Sequence, residues 1–305
     1  MQTILKLEKP VEYYPEGCKP LFENHNFMKY YLDNEGNFYK TNKVSSPKIF
    51  MDNLINENNI LNYLKGKNYA DNLSPPSCSK FNSEGNLVII QKAFNGGDFM
   101  DYILKNKSFG SDTATDFLRN IIKILKSLDE FKIIYGDFCF ENLMIGSFNP
   151  LKLILVDFGC AEIIESENYV LSINKILSLR HYLMSPDLEL SYGEVKMMSS
   201  ESYYQLMLKK DLFSIGVLLY NILFGKGIWF PNRRLSPENK NKILIKIRNE
   251  VTYKKNLSIN DEKLIYELLL KLLPIKLKDM ISLKELDNLI LQLKYTNKKR
   301  TFSCL

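Results

Sequence analysis

The sequence predicts an α+β fold in a single domain of two lobes, a small strand-rich lobe with one helix and a larger helical lobe. Three observations support this prediction. Short aromatic and β-branched runs separated by turn residues fill the first 92 residues, apolar residues recur at helical spacing through most of the rest, and a glycine pair at 96 and 97 separates the two regions. We place the first lobe at about residues 1–92, the connection at about 92–97, the helical lobe at about 98–293 and a basic tail at 294–305.

In the first lobe, turn residues indicate two hairpins around one helix. Residues 27–32 and 38–44 flank the sequence Asp-Asn-Glu-Gly-Asn, which is typical of a tight turn between antiparallel strands. A second strand pair is predicted at 80–81 and 87–91. Between the hairpins, Ser46 and Pro47 indicate a helix start, and an apolar stripe continues from there toward Gly66.

The second lobe reads as mainly helical. Gly96 and Gly97 let the chain turn sharply, and a short helix is predicted from there to about Asn106. A longer helix starts at Ser111 as its cap, and its apolar residues fall at helical spacing. Further helices are expected at residues 210–224, 263–273 and 283–293, the first of them apolar on nearly all sides and therefore buried.

Composition excludes several classes of protein. The 305 residues carry a net charge of +6, and no aromatic platform accompanies the basic excess, so a nucleic-acid partner is not expected. The five cysteines are odd in number and form no Cys-x-x-Cys pair, which argues against a disulfide framework or a structural zinc site. No apolar run reaches the roughly 18 residues of a membrane span, and the N-terminus lacks signal-peptide features. We therefore expect an intracellular protein, cytoplasmic or nuclear.

Two carboxylates and an amide form the candidate catalytic motif. Asp137 is followed five positions later by Asn142, and Asp157 opens an Asp-Phe-Gly sequence fifteen residues after that. Short predicted strands between them place all three on neighbouring turns. Phosphoryl transfer requires a base near the acceptor hydroxyl and Mg²⁺ held against the phosphates. Asp137 is the candidate base, and Asn142 and Asp157 are the candidate ligands of Mg²⁺ or Mn²⁺.

Residues 135–142, followed by Asp-Phe-Gly, resemble the catalytic loop and metal-binding motif of eukaryotic protein kinases. The two-lobed layout is similar to that family over nearly the whole chain. The resemblance implies ATP as phosphoryl donor and a protein as substrate. It also implies nucleotide contacts by backbone groups of Lys92, Ala93 and Phe94 with adenine, by Asp98 with the ribose, and by Met144 as the apolar floor under adenine.

The family also has a helix glutamate that pairs with a strand lysine, which in turn holds the α- and β-phosphates. Glu57 resembles that glutamate. Lys43 lies fourteen residues before it, a spacing similar to that of the casein-kinase-one group, so we prefer Lys43 as the catalytic lysine and keep Lys40 as the alternative. Asp211 resembles the family's aspartate that binds the catalytic-loop backbone, because a carboxylate opening an apolar helix needs buried donors. Its alternative role is a helix N-cap.

Three departures from the family pattern predict altered activity. No glycine lies between Gly17 and Gly36, where the family has a glycine-rich phosphate loop. Gly136 replaces an arginine that reads a phosphate on the activation segment, so regulation by that phosphate is not expected. Cys139 replaces a lysine that steadies the γ-phosphate, so reduced turnover is expected.

Three functions are compatible with these residues. The preferred one is an ATP-dependent protein kinase, with Ser/Thr acceptors by family precedent, because Asp137, Asn142 and Asp157 are all retained. A pseudokinase scaffold would explain the departures. A small-molecule phosphotransferase of the aminoglycoside or choline kinase type would explain the missing lysine, but the segment 185–186 and the Asp211 helix resemble protein kinases.

Overall fold

The computed structural model describes residues 19–20, 27–43, 46–67, 71–74, 77–106, 109–164, 168–170, 197–227, 236–258 and 260–293. The predictions for the Ser185-Pro186 segment and for the basic tail at 294–305 lie outside the described residues. The remaining predictions can be compared with the structure element by element.

The strands of the first lobe are β1 Lys19–Pro20, β2 Met28–Leu32, β3 Asn37–Asn42, β4 Cys78–Phe81 and β5 Leu87–Lys92. They form an antiparallel sheet in the order β1-β2-β3-β5-β4, which confirms both predicted hairpins. At the β2–β3 turn, Asp33 Oδ1 accepts a hydrogen bond from the backbone N–H of Asn37 at 2.8 Å. Gly36 supplies the φ of 74° that this turn requires.

Helix α1, Lys48–Leu64, packs against β3 and β5 and follows Pro47 directly, as the sequence indicates. Its buried apolar residues are Leu54, Ile60, Leu61 and Leu64. Glu57 is buried among them. A carboxylate in this position requires a partner, and the packing of α1 on the sheet determines which groups can reach it.

The helices of the second lobe are α2 Phe99–Asn106, α3 Ser111–Glu130, α4 Ser200–Phe224, α5 Pro237–Leu257, α6 Asn260–Leu272 and α7 Leu283–Leu291. Helices α3 and α4 contribute fully buried side chains to the core, among them Phe117, Ile121, Phe213 and Leu219. Ser111 is the first residue of α3 rather than its cap, which is Gly110. Across the part of the chain that the structure describes, no helix has the length and apolar character needed to cross a bilayer.

One helix begins earlier than predicted, and another was not predicted at all. Helix α4 begins at Ser200 rather than at residue 210, because Ser199 caps it and Tyr203 and Met207 extend its buried face toward the N-terminus. Helix α5 was not predicted. Its buried apolar residues are confined to Leu244, Ile247 and Val251 within a sequence rich in Lys and Asn, so its apolar stripe is weak.

Short strands frame the candidate motif: β6 Ile133–Ile134, β7 Leu143–Phe148, β8 Leu151–Leu155, β9 Glu162–Ile163, β10 Asn168–Val170 and β11 Met197–Ser199. Strands β7 and β8 form a hairpin in which Leu143 faces Leu155, and β6 pairs with β9. The residue before β7 and the residues after β8 therefore lie at the same end of one hairpin.

Candidate active site

Two buried charged residues of α4 hold the loop that follows β6. Asp211 accepts hydrogen bonds from the backbone N–H of Tyr135 at 3.1 Å and of Gly136 at 3.2 Å. Lys210 donates to the carbonyl oxygen of Gly136. Asp211 lies inside α4, so the alternative interpretation as an N-cap is wrong, and the predicted contact with the loop backbone is present.

Gly136 has a steric role in addition to replacing an arginine. Its φ is 83°, and a Cβ added to it would lie 2.9 Å from the carbonyl oxygen of Cys160. Residues with side chains rarely adopt this φ, and the close approach leaves no room for one. The loop therefore requires glycine next to Asp137.

The side chain of Asn142 connects directly to Asp137. Asn142 Nδ2 donates to the carbonyl oxygen of Asp137 at 3.0 Å and to its Oδ2 at 3.1 Å. Because the amide nitrogen points to Asp137, the amide oxygen points away from it. The backbone N–H of Val156 donates to the backbone carbonyl oxygen of Asn142 at 3.0 Å. This bond joins the loop to the residue just before Asp157.

Asp157 lies in the left-handed region, with φ 59° and ψ 78°. This conformation is unfavourable for a residue with a side chain, so surrounding contacts must maintain it. Asp157 Oδ1 accepts from the backbone N–H of Gly159 at 3.3 Å and lies 2.9 Å from Lys40 Nζ. The Asp-Phe-Gly sequence thus directs its carboxylate toward the sheet of the first lobe.

The prediction of Lys43 as the pairing lysine is wrong, and Lys40 takes that position. Lys40 Nζ lies 2.7 Å from Glu57 Oε2 and 2.9 Å from Asp157 Oδ1. Strand β3 ends one residue before Lys43, whereas Lys40 lies within the strand on the face that α1 covers. Spacing along the chain could not separate the two, because the connection between strand and helix varies in length.

One lysine in this cluster faces two carboxylates, and their burial differs. The Glu57 side chain is 2% exposed and that of Asp157 is 41% exposed. Burial raises the pKa of Glu57 to about 7, although Lys40 opposes the shift. Burial lowers the pKa of Lys40, but Asp157 and Glu57 together outweigh that effect and raise it, so Lys40 stays protonated. The charge of Glu57 therefore changes near neutral pH.

The predicted nucleotide contacts lie where the two lobes join. The backbone N–H of Ala93 donates to a carbonyl of the β2–β3 turn at 2.9 Å, and Lys92 Nζ donates to a second carbonyl of that turn at 2.9 Å. The Ala93 N–H is thus engaged within the protein, while Phe94 follows it toward the second lobe. Asp98 Oδ1 accepts from the backbone of α2 at 2.8 Å, and Asp98 pairs with Met144 in an isolated bridge. Asp98, predicted to contact the ribose, and Met144, predicted to contact the base, are therefore neighbours in the structure.

Sequence reasoning missed several residues around this site. The rings of Tyr30 and Phe38 stack with centroids 5.8 Å apart. Tyr30 lies opposite Lys40 in the β2–β3 register, and Phe38 precedes Lys40 by two residues, so both rings share its face of the sheet. This alternation would have identified Phe38 once Lys40 was chosen. Asn56 and Lys210 lie in helices and carry no comparable sequence signal.

The donor set suits a magnesium ion. Within the described ranges, no group of three or more His, Cys, Asp or Glu side chains could hold a metal. Mg²⁺ is bound in nucleotide sites by one or two carboxylates together with phosphate oxygens and water, so a larger cluster is not required. The Asp157 carboxylate and the amide oxygen of Asn142 are oxygen donors of the required kind.

The structure combines a strand-rich lobe over a helical lobe with a lysine–glutamate pair and an Asp-Asn loop beside Asp-Phe-Gly. Together these features define the fold and site arrangement of the protein-kinase class. Residues 36–293 match the family model described as "Protein kinase domain". The chain belongs to the protein kinase family.

Curated relatives carry kinase names. "Probable serine/threonine-protein kinase 2" of Plasmodium falciparum is 26% identical over 191 residues, which cover 62% of this chain and 33% of that protein. A probable serine/threonine-protein kinase of Dictyostelium discoideum is 25% identical over 264 residues, covering 81% and 52%. Human death-associated protein kinase 2 is 27% identical over 149 residues, covering 48% and 35%. The chain thus spans between 33% and 52% of the length of these relatives.

Proposed function

We propose that this protein transfers the γ-phosphoryl group of ATP to a hydroxyl group of a protein substrate, with Mg²⁺ or Mn²⁺ as the metal. The ion cluster of Lys40 carries this proposal. Its ammonium group lies 2.7 Å from Glu57 and 2.9 Å from Asp157. A cation for the phosphates and a carboxylate for the metal therefore meet at one point between the lobes, as phosphoryl transfer requires.

Asp137 is the proposed base that receives the proton of the acceptor hydroxyl. Its Oδ2 is bonded by Asn142 at 3.1 Å, which sets the direction of the carboxylate. Gly136, the residue before the base, is held at its N–H by Asp211 and at its carbonyl by Lys210. These contacts fix the backbone that precedes the base, and the hydrogen bond from Asn142 Nδ2 to the Asp137 carbonyl oxygen at 3.0 Å fixes the backbone that follows it.

Asp157 and the amide oxygen of Asn142 are the proposed metal ligands. When bound, the metal would neutralise charge on the β- and γ-phosphate oxygens. Lys40 would bind the α- and β-phosphates. Glu57 keeps the Lys40 ammonium on the cleft side of α1, so its contribution to catalysis acts through that lysine.

For the base of the nucleotide, we propose the Phe94 N–H and the Lys92 carbonyl as hydrogen-bonding groups. The N–H of the intervening Ala93 already donates to the β2–β3 turn. Phe38 would cover one face of the base and Met144 the other. Phe38 lies opposite the residue before Lys92 in the β3–β5 register, which places it beside the connection between the lobes.

Ser or Thr is the proposed acceptor, because the relatives named above include probable serine/threonine-protein kinases. A reduced rate is also proposed, because Cys139 is 2% exposed and supplies no cation to the γ-phosphate. Losing one such transition-state contact typically lowers kcat by about 10²–10³.

A pseudokinase that binds partners without transfer is the second candidate. The stacked rings of Tyr30 and Phe38 favour it, because an aromatic pair on the nucleotide side of the sheet occupies volume beside Lys40. Cys139 also favours the pseudokinase, because it supplies no cation to the γ-phosphate. Retention of the complete polar set of Lys40, Glu57 and Asp157 favours the enzyme.

The test is transfer of labelled phosphate from ATP to a generic basic protein, with Mg²⁺ and separately with Mn²⁺. Asp157→Ala and Asp137→Asn should each abolish transfer, and Asp71→Asn, at an exposed ion pair with Lys152, should not. Transfer that survives Asp157→Ala would contradict the proposed metal site. Nucleotide binding without any transfer by the wild-type protein would favour the pseudokinase. Amino alcohols and aminoglycosides serve as small-molecule acceptor controls.

A further inference from the structure

One amide of α1 binds three carbonyl groups of the segment that begins with Asp-Phe-Gly. Asn56 Nδ2 donates to the carbonyl oxygen of Ala161 at 2.8 Å, of Gly159 at 3.0 Å and of Phe158 at 3.3 Å. An amide nitrogen has two hydrogens, so the two shorter contacts are full hydrogen bonds and the third is shared. Asn56 lies 102 to 105 residues from these partners in the sequence.

The next residue of α1 holds the same segment at a different point. Glu57 faces the backbone N–H of Phe158, which lowers the pKa of its carboxyl group, besides its ion pair with Lys40. Consecutive residues of a helix point about 100° apart, so Asn56 and Glu57 contact the segment from two directions. One turn of α1 thus holds both the catalytic lysine and the backbone that carries Asp157.

Asp157 needs this support because of its backbone. Its φ of 59° is disfavoured for residues other than glycine, so without external contacts the peptide would relax. The carbonyls that Asn56 binds are those of the next residues along the chain. Their orientation fixes the turn Phe158–Cys160 and therefore the direction of the Asp157 carboxylate.

Among the described residues around this segment, no cation is placed to bind a phosphate that could do the same work. A cavity of about 500 Å³ lies between α1, the catalytic loop and the residues after Asp-Phe-Gly. The described residues that line it include the carboxylates of Asp52 and Glu162, and none of them is Lys, Arg or His. A phosphorylated side chain entering this cavity would meet like charge from these carboxylates and no cation among the described lining residues.

We propose that Asn56 is a positioning residue that holds Asp157 in its metal-binding place, and that it does so without a phosphate on the segment that follows. The proposal deepens the proposed function, because it assigns the support of the metal ligand. The predicted consequence is specific. Asn56 acts on metal-dependent nucleotide affinity and leaves metal-independent affinity unchanged.

The experiment compares wild type, Asn56→Ala, Asn56→Asp and the control Asn59→Ala, which alters a residue lining the same cavity without touching these bonds. All four proteins are treated with phosphatase, and loss of phosphate is verified by intact mass. Dissociation constants for a non-hydrolysable ATP analogue are measured with Mg²⁺ and with EDTA. The quantity compared is the Mg²⁺ ratio, defined as the dissociation constant in EDTA divided by that in Mg²⁺. Each lost hydrogen bond should reduce this ratio about fivefold, so the loss of two predicts a ratio about 25-fold smaller in Asn56→Ala. Asn59→Ala should keep the wild-type ratio.

Asn56→Asp separates hydrogen bonding from space filling. It preserves shape but turns a carboxylate toward three carbonyl oxygens, so it should lower the ratio at least as much as Asn56→Ala. A side chain that only fills space would instead give Asn56→Asp the wild-type ratio, and that result would overturn the proposal. Loss of the wild-type ratio after phosphatase treatment would overturn it as well.

A second measurement needs no nucleotide. Amide hydrogen exchange of a peptide covering residues 157–161 should be faster in Asn56→Ala and Asn56→Asp than in wild type, and unchanged in Asn59→Ala. Equal exchange in all four proteins would refute the positioning role. A wild-type protein that binds nucleotide but transfers no phosphate would refute the proposed function, while the Mg²⁺ ratio and the exchange rates would still test Asn56. If no nucleotide binds, the exchange rates alone decide.

Discussion

Replacing Lys40 by Met should destabilise the protein in a pH-dependent manner, and Glu57 is the physical cause. Lys40 is the cation that the structure places 2.7 Å from this almost completely buried carboxylate. Breaking a buried pair is costly when the remaining charge stays ionised. Here the remaining group can take up a proton instead, so the cost depends on pH. Phosphoryl transfer should be lost at every pH.

The magnitude follows from the pKa of Glu57, which burial raises to about 7 in the presence of Lys40. Lys40 opposes this rise, so the pKa of Glu57 is higher still when the ammonium is absent. A carboxyl group whose folded-state pKa is raised stabilises the fold below its unfolded pKa, and that contribution is lost as pH rises through the folded pKa. At pH 6, Glu57 is protonated in both proteins. At pH 8 the wild type has released the proton and the variant has not, which adds about 1.4 kcal/mol to the destabilisation.

The assay is urea unfolding of wild type and Lys40→Met at pH 6, 7 and 8. The difference in unfolding free energy between the two proteins should grow by about 1.4 kcal/mol between pH 6 and 8. The same comparison in a Glu57→Gln background should show no such growth, because glutamine does not titrate. A difference that is independent of pH, or one that still grows with Gln at this position, would refute the assignment to Glu57.

Three further predictions concern the loop and the cleft. Gly136→Ala should destabilise the protein by about 1–2 kcal/mol more than Gly97→Ala, measured by thermal unfolding, because both residues have positive φ but only Gly136 has a close neighbour. Equal effects would contradict the steric argument. Asp211→Asn should cost about 3 kcal/mol in urea unfolding, and Lys210→Met combined with it should cost less than the sum of the single changes, since the pair is buried. Additive effects would show that the two charges are not coupled. Phe38→Ala should weaken the affinity for ATP by about tenfold, because Phe38 is proposed to cover one face of the base and a lost base–aromatic contact corresponds to about 1.4 kcal/mol. Unchanged affinity measured by calorimetry would place the ring outside the base site.

Much of the candidate site could be predicted from the sequence, because its parts are local. Asp137, Asn142 and Asp157 are separated only by a loop and a short hairpin, and the β7–β8 pairing brings the ends of that hairpin together. The family resemblance rested on the same local stretch, and the family match over residues 36–293 agrees with it. Turn residues and apolar spacing likewise predicted the β2–β3 hairpin and α1.

The remaining features depend on contacts between distant parts of the chain. Lys40 and Lys43 are both lysines shortly before α1, so the sequence alone does not distinguish them. Only the end of β3 and the packing of α1 do. Asn56 and Lys210 resemble ordinary polar helix residues in the sequence. Their partners Phe158 and Gly136 lie 102 and 74 residues away, respectively, and become visible only after these distant segments pack together.

The sequence by itself thus determined which chemical groups are present, most of the strands and helices, and which family the chain resembles. Tertiary structure alone determined which lysine meets Glu57, which residue supports Asp157, and that a glycine is sterically required beside the base. Turn formation and apolar periodicity involve residues that are close together in the sequence, and they can therefore be predicted from it. The pairing of buried polar groups is different, because a charge or amide removed from water binds whichever partner the packing of α1, β3 and α4 brings within hydrogen-bonding distance.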